Sequence, residues 1–345
     1  MKYLFGSNAF DYLNEFISTN NYSKVFILTD DHTKKFSLPL IDNYFSHEFT
    51  NVNIPVGDKN KNIDTLKNIW EELLEKGGDR KSLLINLGGG VVTDIGGFAA
   101  VSFKRGIDFI HIPTTLLGMV DAAIGGKNGI NFKGYKNQIG TIVPPKFVII
   151  FPEFLKTLPP KEFDSGFAEM LKHGLIADHI YWNELLAYEN KQANDPVLLD
   201  LIKKSIEIKE QIITSDPHEL GLRKVLNFGH TLGHAIESYL NYYKKNYITH
   251  GHAVAIGMIL AVYLSTQITN FPFSKALGIK KIISNKYPYI SFNKKDREKI
   301  IDLLSYDKKN INGQVYFVLL TSIGKPVINQ IVPKEKILKA FDFYA

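Results

Sequence analysis

An α/β domain followed by a mainly α-helical one is the fold class that this sequence predicts, and three features predict it. Short β-branched runs alternate with amphipathic segments over roughly the first 150 residues. One of those runs ends in Gly88-Gly89-Gly90. Beyond Pro159-Pro160 the strand-like runs fade and helical periodicity takes over.

Val25–Thr29 reads as a strand ending at Asp30 and Asp31, and Ile63–Lys76 as an amphipathic helix. Ser82–Leu87 is a second strand, Asp94–Phe103 a second helix, and Ile107–Ile112 and Phe147–Phe151 two further strands. Strand, helix, strand in this order calls for parallel pairing, so residues 1–159 are expected to form a nucleotide-binding α/β domain. Lys161–Asp178, Ile180–Tyr188, Leu198–Thr214, Leu226–Leu240 and Ala253–Thr266 carry helical periodicity and assign 160–345 to a mainly helical domain. Pro159-Pro160 marks the boundary, since neither residue favours continuation of regular structure.

The 345 residues fit two domains of ordinary size, with 45% hydrophobic and 22% charged residues. No apolar run reaches the roughly 18 residues of a membrane span. The N-terminus lacks the long apolar core and small-residue site of a secretory signal, so a cytoplasmic location and no membrane partner are expected. Cysteine is absent, which excludes disulfides, thiolate metal ligands and a cysteine nucleophile. The net charge of +6 is spread along helices such as Leu201–Glu210, where lysines interleave with acids. That distribution argues against nucleic acid and leaves room for a small anionic substrate held in a cleft.

Gly88-Gly89-Gly90-Val91-Val92-Thr93-Asp94 follows a strand and opens a helix, the setting in which backbone amides meet a pyrophosphate. A plain turn explains three glycines equally well. Asp30 and Asp58, at the ends of neighbouring strands and loops, are placed to accept from ribose hydroxyls, or else merely punctuate loops. Between Arg105 and Gly140, the charged Arg105, Asp121, Lys127 and Lys136 and the polar Asn137 stand among Gly, Ala and Thr. Unpaired charges in such surroundings would cost several kcal/mol, so a charged ligand is expected. Glu169 and Lys172 stand one helical turn apart and can serve one cavity or form a surface ion pair.

Four of the ten histidines, His230, His234, His250 and His252, fall in one short window. His230 and His234 project from one helical face, and His250 opens a second apolar helix. Two histidines plus a carboxylate, with a fourth position open, is a common catalytic zinc arrangement, although scattered histidines also satisfy cores or face solvent.

Taken together, G-G-G-V-V-T-D-I-G-G-F, P-T-T-L-L-G-M-V-D-A-A-I-G-G-K, F-A-E-M-L-K-H-G, G-L-R-K-V-L-N-F-G-H-T-L-G-H-A-I-E and H-G-H-A-V-A-I-G-M resemble 3-dehydroquinate synthase, from about Asp30 to Lys309. The resemblance implies a Rossmann-like N-terminal domain, a helical C-terminal domain, NAD held between them, and zinc, for which cobalt can substitute. It places the metal on Glu169, His230 and His250, and the catalytic roles on His234, Lys127, Asp121 and Lys172. It places NAD on Asp30, Asp58, Lys61, Gly89, Gly90, Val91, Asp94, Thr114, Thr115 and Lys136, with Phe154, Leu155, Lys156 and Thr157 closing over it. Substrate contacts fall on Asn137, Lys209, Arg223 and Asn227, and on one of Lys308 and Lys309. Arg105 corresponds to a residue that reaches the neighbouring subunit's phosphate site, which implies a homodimer. The implied reaction converts 3-deoxy-D-arabino-heptulosonate 7-phosphate to 3-dehydroquinate and phosphate, with NAD regenerated in each turnover.

Three positions depart from the family pattern. His252 replaces a common glutamate, Asn128 a common threonine, and Phe151-Pro152 a polar pair. His252 could compete for the metal, hydrogen-bond a ligand, or face solvent. Residues are also inserted between His234 and His250. Another sugar phosphate cyclase or a metal-dependent alcohol or glycerol dehydrogenase would share the apparatus. Arg223, Lys209 and Asn227 speak against the first, and the number of cationic substrate residues against the second.

Overall fold

The structure is a computed structural model that describes residues 1–133, 135–189, 195–304 and 315–345. It forms two compact units. The first is Met1–Pro159 with the described part of Asn190–Ile202, and the second is Pro160–Glu189 with Lys203–Ala345.

In the first unit, strands β1 (Tyr3–Phe5), β2 (Lys24–Asp30), β3 (Thr50–Ile54), β4 (Ser82–Gly88), β5 (Asp108–Pro113) and β8 (Val148–Ile150) form one sheet in the order β1-β8-β5-β4-β2-β3. Every pairing is parallel. Such a sheet needs both faces covered, and β4, Ser-Leu-Leu-Ile-Asn-Leu-Gly, is buried along its whole length. Helices α1 (Asn8–Asn20), α2 (Asp31–Phe36), α3 (Leu38–Ile41), α4 (Ile63–Glu75) and α5 (Gly90–Ser102) connect the strands. Leu66, Ile69 and Leu73 of α4 and Ile95, Ala99 and Ala100 of α5 close one core against Phe26, Leu28 and Leu84. The chain leaves β2 for β3 on one side and returns to β4 on the other. The strand order therefore reverses between β2 and β4, and the crevice outside their carboxyl ends is where such sheets bind ligands. Asp30 ends β2, and Gly88 ends β4.

The strands expected from the sequence are present, with Phe147 and Phe151 just outside β8. An antiparallel hairpin, β6 (Lys127–Phe132) and β7 (Tyr135–Ile142), was not foreseen. Its Gly, Asn and Lys content hides the period-two pattern.

The second unit consists of α6 (Pro160–Ala177), α7 (His179–Ala187), the rest of α8 (Pro196–Ser215), α9 (His230–Ser238), α10 (His250–Ile268), α11 (Phe273–Lys286), α12 (Lys294–Leu304) and α13 (Lys334–Tyr344). It also holds an antiparallel hairpin, β9 (Tyr316–Ser322) and β10 (Lys325–Ile331), so strands do not end with the first unit. Pro160 opens α6 rather than interrupting structure, since its missing N–H is harmless in a first turn. The helix expected over Leu226–Leu240 breaks at Gly229, which caps α9 in the left-handed region at φ +74°. A π-helical turn, Tyr239–Tyr243, follows α9, and Asn241 ties back the loop leading to α10 by accepting from the Ile248 amide at 2.8 Å. Contrary to the expectation that no apolar run reaches that length, α10, at 19 residues and a mean hydropathy of 1.5, is long and apolar enough to cross a membrane. Most of it is buried against α6, α9, α11, α13 and β9, as a core helix is.

Candidate active site

In the second unit, three helices bring the predicted metal residues together. Close approach makes this possible. A Cβ on Gly257 of α10 would lie 1.9 Å from the Gly229 carbonyl oxygen at the start of α9, so only glycine allows the two helices this spacing. Glu169 of α6 is fully buried, and its Oε1 lies 3.4 Å from His230 Nε2 and 3.4 Å from His250 Nε2. Both separations exceed the roughly 2.7–2.9 Å of a charge-assisted hydrogen bond. Among the described residues Oε1 has no hydrogen-bond partner.

The histidine tautomers sharpen the point. His230 Nδ1 lies 3.1 Å from the Phe228 carbonyl, which can only accept, so Nδ1 carries the hydrogen. His250 Nδ1 lies 3.1 Å from Glu237 Oε2. In the neutral rings both Nε2 atoms then turn lone pairs toward a carboxylate oxygen, an arrangement that calls for positive charge between them. A tetrahedral ion about 2.1 Å from its ligands spaces them about 3.4 Å apart, so the residues fit zinc or a similar divalent ion.

His234 belongs to the same cluster, its ring centroid 5.1 Å from that of His230 and 5.6 Å from that of His250. The donor nitrogens of all three rings fall within 4.8 Å of one another. Lys172 pairs with Glu169 Oε2, and the side chains are 1% and 0% exposed, so this is a buried ion pair and not the surface pair that spacing also allowed. Burial works to raise the Glu169 carboxyl, but Lys172, then His230 and His250, outweigh it and hold it well below the usual carboxylate range. For His250 burial opposes protonation, yet Glu237 and Glu169 push the metal-free imidazole up to about 10.

His252 points elsewhere. Its Nε2–H donates to the Pro288 carbonyl at 2.8 Å and its ring lies against Tyr287, while burial lowers its pKa despite that bond. It is not among the clustered donors.

Arg223 and Asn227 lie on a 3-10 turn, Leu222–Asn227, just ahead of α9. Asp216 shapes the preceding loop by accepting from the backbone amides of Leu220, Gly221 and Arg223. Arg223 is 2% exposed and donates through Nη1 to the Pro217 carbonyl at 2.7 Å. Asn227 donates to Glu219 Oε1 at 2.9 Å, and Lys209 is buried on α8. Lys308 and Lys309 lie outside the described residues.

In the first unit, Asp30, Gly89, Gly90, Thr114 and Thr115 stand at the carboxyl ends of β2, β4 and β5, while Asp58 and Lys61 follow β3 and Lys136 lies on β7. Gly89 caps α5, and the Gly88 carbonyl accepts from the Thr114 amide at 3.0 Å. A Cβ on Gly89 would meet Thr115 Cγ2 at 3.0 Å, so the glycine turn and the threonine pair lie against each other. Val91 stands in the first turn of α5. Asp30 caps α2, with Oδ1 accepting from the Thr33 amide at 2.8 Å. Lys61 is 4% exposed, pairs with Asp94 and donates to Asn137 Oδ1 at 2.5 Å. Asp58 Oδ2 lies 3.5 Å from Lys136 Nζ. Asn137, assigned from the resemblance to substrate, thus joins residues assigned to NAD. Asn131 ties this group together, donating to Asp58 Oδ2 and accepting from the Asn137 amide at 3.0 Å.

Phe154, Leu155, Lys156 and Thr157 form a 3-10 turn after β8, with Phe154 and Leu155 buried. Lys127 opens β6 and is exposed, Asp121 sits in a π-helical turn, Gly118–Ala122, and Arg105 is exposed in a left-handed turn at φ +71°. Asn128 is buried and clamps the hairpin base, donating to the Gly126 and Val143 carbonyls at 3.0 and 2.8 Å.

Sequence reasoning missed Asn131 and Glu237. Glu237 is a buried acid three residues after His234, and the argument applied to the other buried charges would have found it. Asn131 gives no signal, since it acts through its position on β6.

The N-terminal family of 3-dehydroquinate synthase matches residues 51–165, and the C-terminal family of the same enzyme matches 166–310. The 3-dehydroquinate synthase of Parabacteroides distasonis is 44% identical over 96% of this chain and 94% of its own. That of Pyrococcus abyssi is 40% identical over 92% of each. Among solved structures, a 2-deoxy-scyllo-inosose synthase complexed with carbaglucose-6-phosphate, NAD+ and Co2+ superposes with a TM-score of 0.81 at 25% identity, covering 98% and 95% of the two chains. The 2-epi-5-epi-valiolone synthase of Streptomyces hygroscopicus, with NAD+ and Zn2+ bound, shares the fold at a TM-score of 0.86 and 24% identity, covering 99% and 96%.

Proposed function

The chain belongs to the 3-dehydroquinate synthase family, and from that premise we propose that its second unit carries the metal and proton chemistry and its first unit the cofactor. The reaction is conversion of 3-deoxy-D-arabino-heptulosonate 7-phosphate to 3-dehydroquinate and phosphate. The observation that carries the metal assignment is Glu169 Oε1 at 3.4 Å from the Nε2 atoms of both His230 and His250.

Glu169, His230 and His250 would hold the divalent ion, and Asp30, Asp58, Lys61, Asp94 and the turn at Gly89 and Gly90 would hold NAD. When bound, NAD accepts and returns one hydride within a turnover, and the metal polarises the hydroxyl being oxidised. His234, clustered with the two ligand histidines, takes the proton of that hydroxyl and relays it. Lys172 keeps Glu169 ionised and is assigned to a substrate hydroxyl. Arg223 and Lys127 are assigned to the substrate carboxylate, because a guanidinium fork matches a carboxylate in two parallel hydrogen bonds. Lys209 and Asn227 orient hydroxyls, and Asn137 serves the phosphate. These side chains would hold the substrate in one conformer while the C–H beside the oxidised carbon gives up its proton as phosphate leaves, and while the ring opens and recloses by intramolecular aldol addition. A homodimer, with Arg105 reaching the partner subunit, and a cytoplasmic location, where sugar phosphates and NAD are met, complete the reading.

Two variants test the division. His230→Ala is expected to lose bound metal and turnover together, whereas His234→Ala keeps the metal and loses about 10²-fold or more in kcat. A fully active His234→Ala would remove its assigned role.

A further inference from the structure

The two histidines that face Glu169 are oriented by different outer partners. His230 Nδ1 meets a neutral backbone carbonyl, that of Phe228, at 3.1 Å. His250 Nδ1 meets a carboxylate, Glu237 Oε2, also at 3.1 Å. Glu237 lies on α9, three residues after His234, and is 3% exposed, a second buried acid that the reaction chemistry above does not use. Burying a carboxylate costs several kcal/mol unless it is compensated, so its presence needs a reason.

We propose that Glu237 is a positioning residue of the metal centre, accepting the Nδ1–H of His250 and so holding that ring in the orientation that presents Nε2 to an ion. The His250 side chain is 23% exposed against 10% for His230, so packing restrains it less and a tether matters more. With Nδ1–H committed to Glu237, Nε2 is the nitrogen that faces Glu169 Oε1 and is left to take an ion. Its carboxylate also makes the His250 ring a stronger donor, as carboxylates behind metal-bound imidazoles do.

The proposal rests on the metal assignment above, and its test separates the two. Metal-stripped wild type, Glu237→Gln, Glu237→Ala and His250→Ala are titrated with Co2+ in competition with a chromogenic chelator, and the visible Co2+ bands are recorded. Glu237→Gln, which keeps the shape and loses the charge, is expected to weaken Co2+ about 10-fold, and Glu237→Ala up to about 100-fold with altered bands. NAD affinity should be unchanged in both, which also reports that they are folded. If His250→Ala loses Co2+ while both Glu237 variants bind it as wild type does, Glu237 has no such role, whatever their metal-free melting temperatures. If wild type binds Co2+ no better than His250→Ala, the metal centre itself is misassigned.

Discussion

Gly251 sits directly on Ser165. Its amide donates to Ser165 Oγ at 2.9 Å, and a Cβ built on it would lie 2.0 Å from the Ser165 carbonyl oxygen. Ser165 precedes Glu169 by one turn of α6, and Gly251 follows His250, so this contact sets the distance between two residues assigned to the metal. Gly251→Ala must push α10 away from α6. The expected cost is about 1–3 kcal/mol from overpacking, with metal affinity down about 10-fold or more. Metal content after dialysis checks this, and a variant that keeps stoichiometric metal would show that the spacing is not critical.

Lys172 and Glu169 form a buried pair, and breaking one leaves the other charge uncompensated. Lys172→Met should destabilise the metal-free protein by about 3–5 kcal/mol. Bound Zn2+ should recover much of that loss, because the ion supplies the missing positive charge. Melting curves with and without Zn2+ measure both, and an equal loss in the two states would contradict the pairing.

His252 is turned toward Pro288 and Tyr287. His252→Ala is therefore expected to bind metal within about 2-fold of wild type while losing about 1 kcal/mol with its hydrogen bond. A drop in metal affinity like that of His250→Ala would return it to the ligand set.

His111 is buried on β5, beside the Asn86 amide at 3.2 Å. Burial, only partly offset by Asn128, lowers its pKa to about 3. The unfolded chain, with an ordinary histidine near 6.5, binds this proton first as pH falls. Stability attributable to His111 is thus complete above about pH 6.5 and is lost down to about pH 3, at up to about 1.4 kcal/mol per pH unit. His111→Gln should show a smaller fall in melting temperature between pH 7 and pH 5 than wild type. An identical fall would show that His111 is not buried neutral.

The sequence carried much of this, for physical reasons. The runs around Val25, Leu84 and Ile110 announced buried parallel strands because such strands are apolar on both faces. Glycines and the stop at Asp30 placed the turn assigned to the cofactor at their ends. The hairpin of Lys127–Ile142 escaped notice because its residues are chosen for Lys61, Asp58 and each other rather than for a buried face. The pairing of Glu169 with His230 and His250 came only through the family resemblance, since residues that meet across three helices leave no spacing in the chain. His252 stayed open for the same reason, and the structure closes it by giving its Nε2–H to Pro288.

The central claim is that the chain is a cyclase that uses NAD catalytically. Its most direct test supplies 3-deoxy-D-arabino-heptulosonate 7-phosphate, Zn2+ and NAD in an amount below that of substrate, and follows inorganic phosphate together with absorbance from NADH. The account predicts phosphate release to the full amount of substrate with no net NADH. Stoichiometric NADH, or no phosphate beyond the NAD supplied, would contradict it.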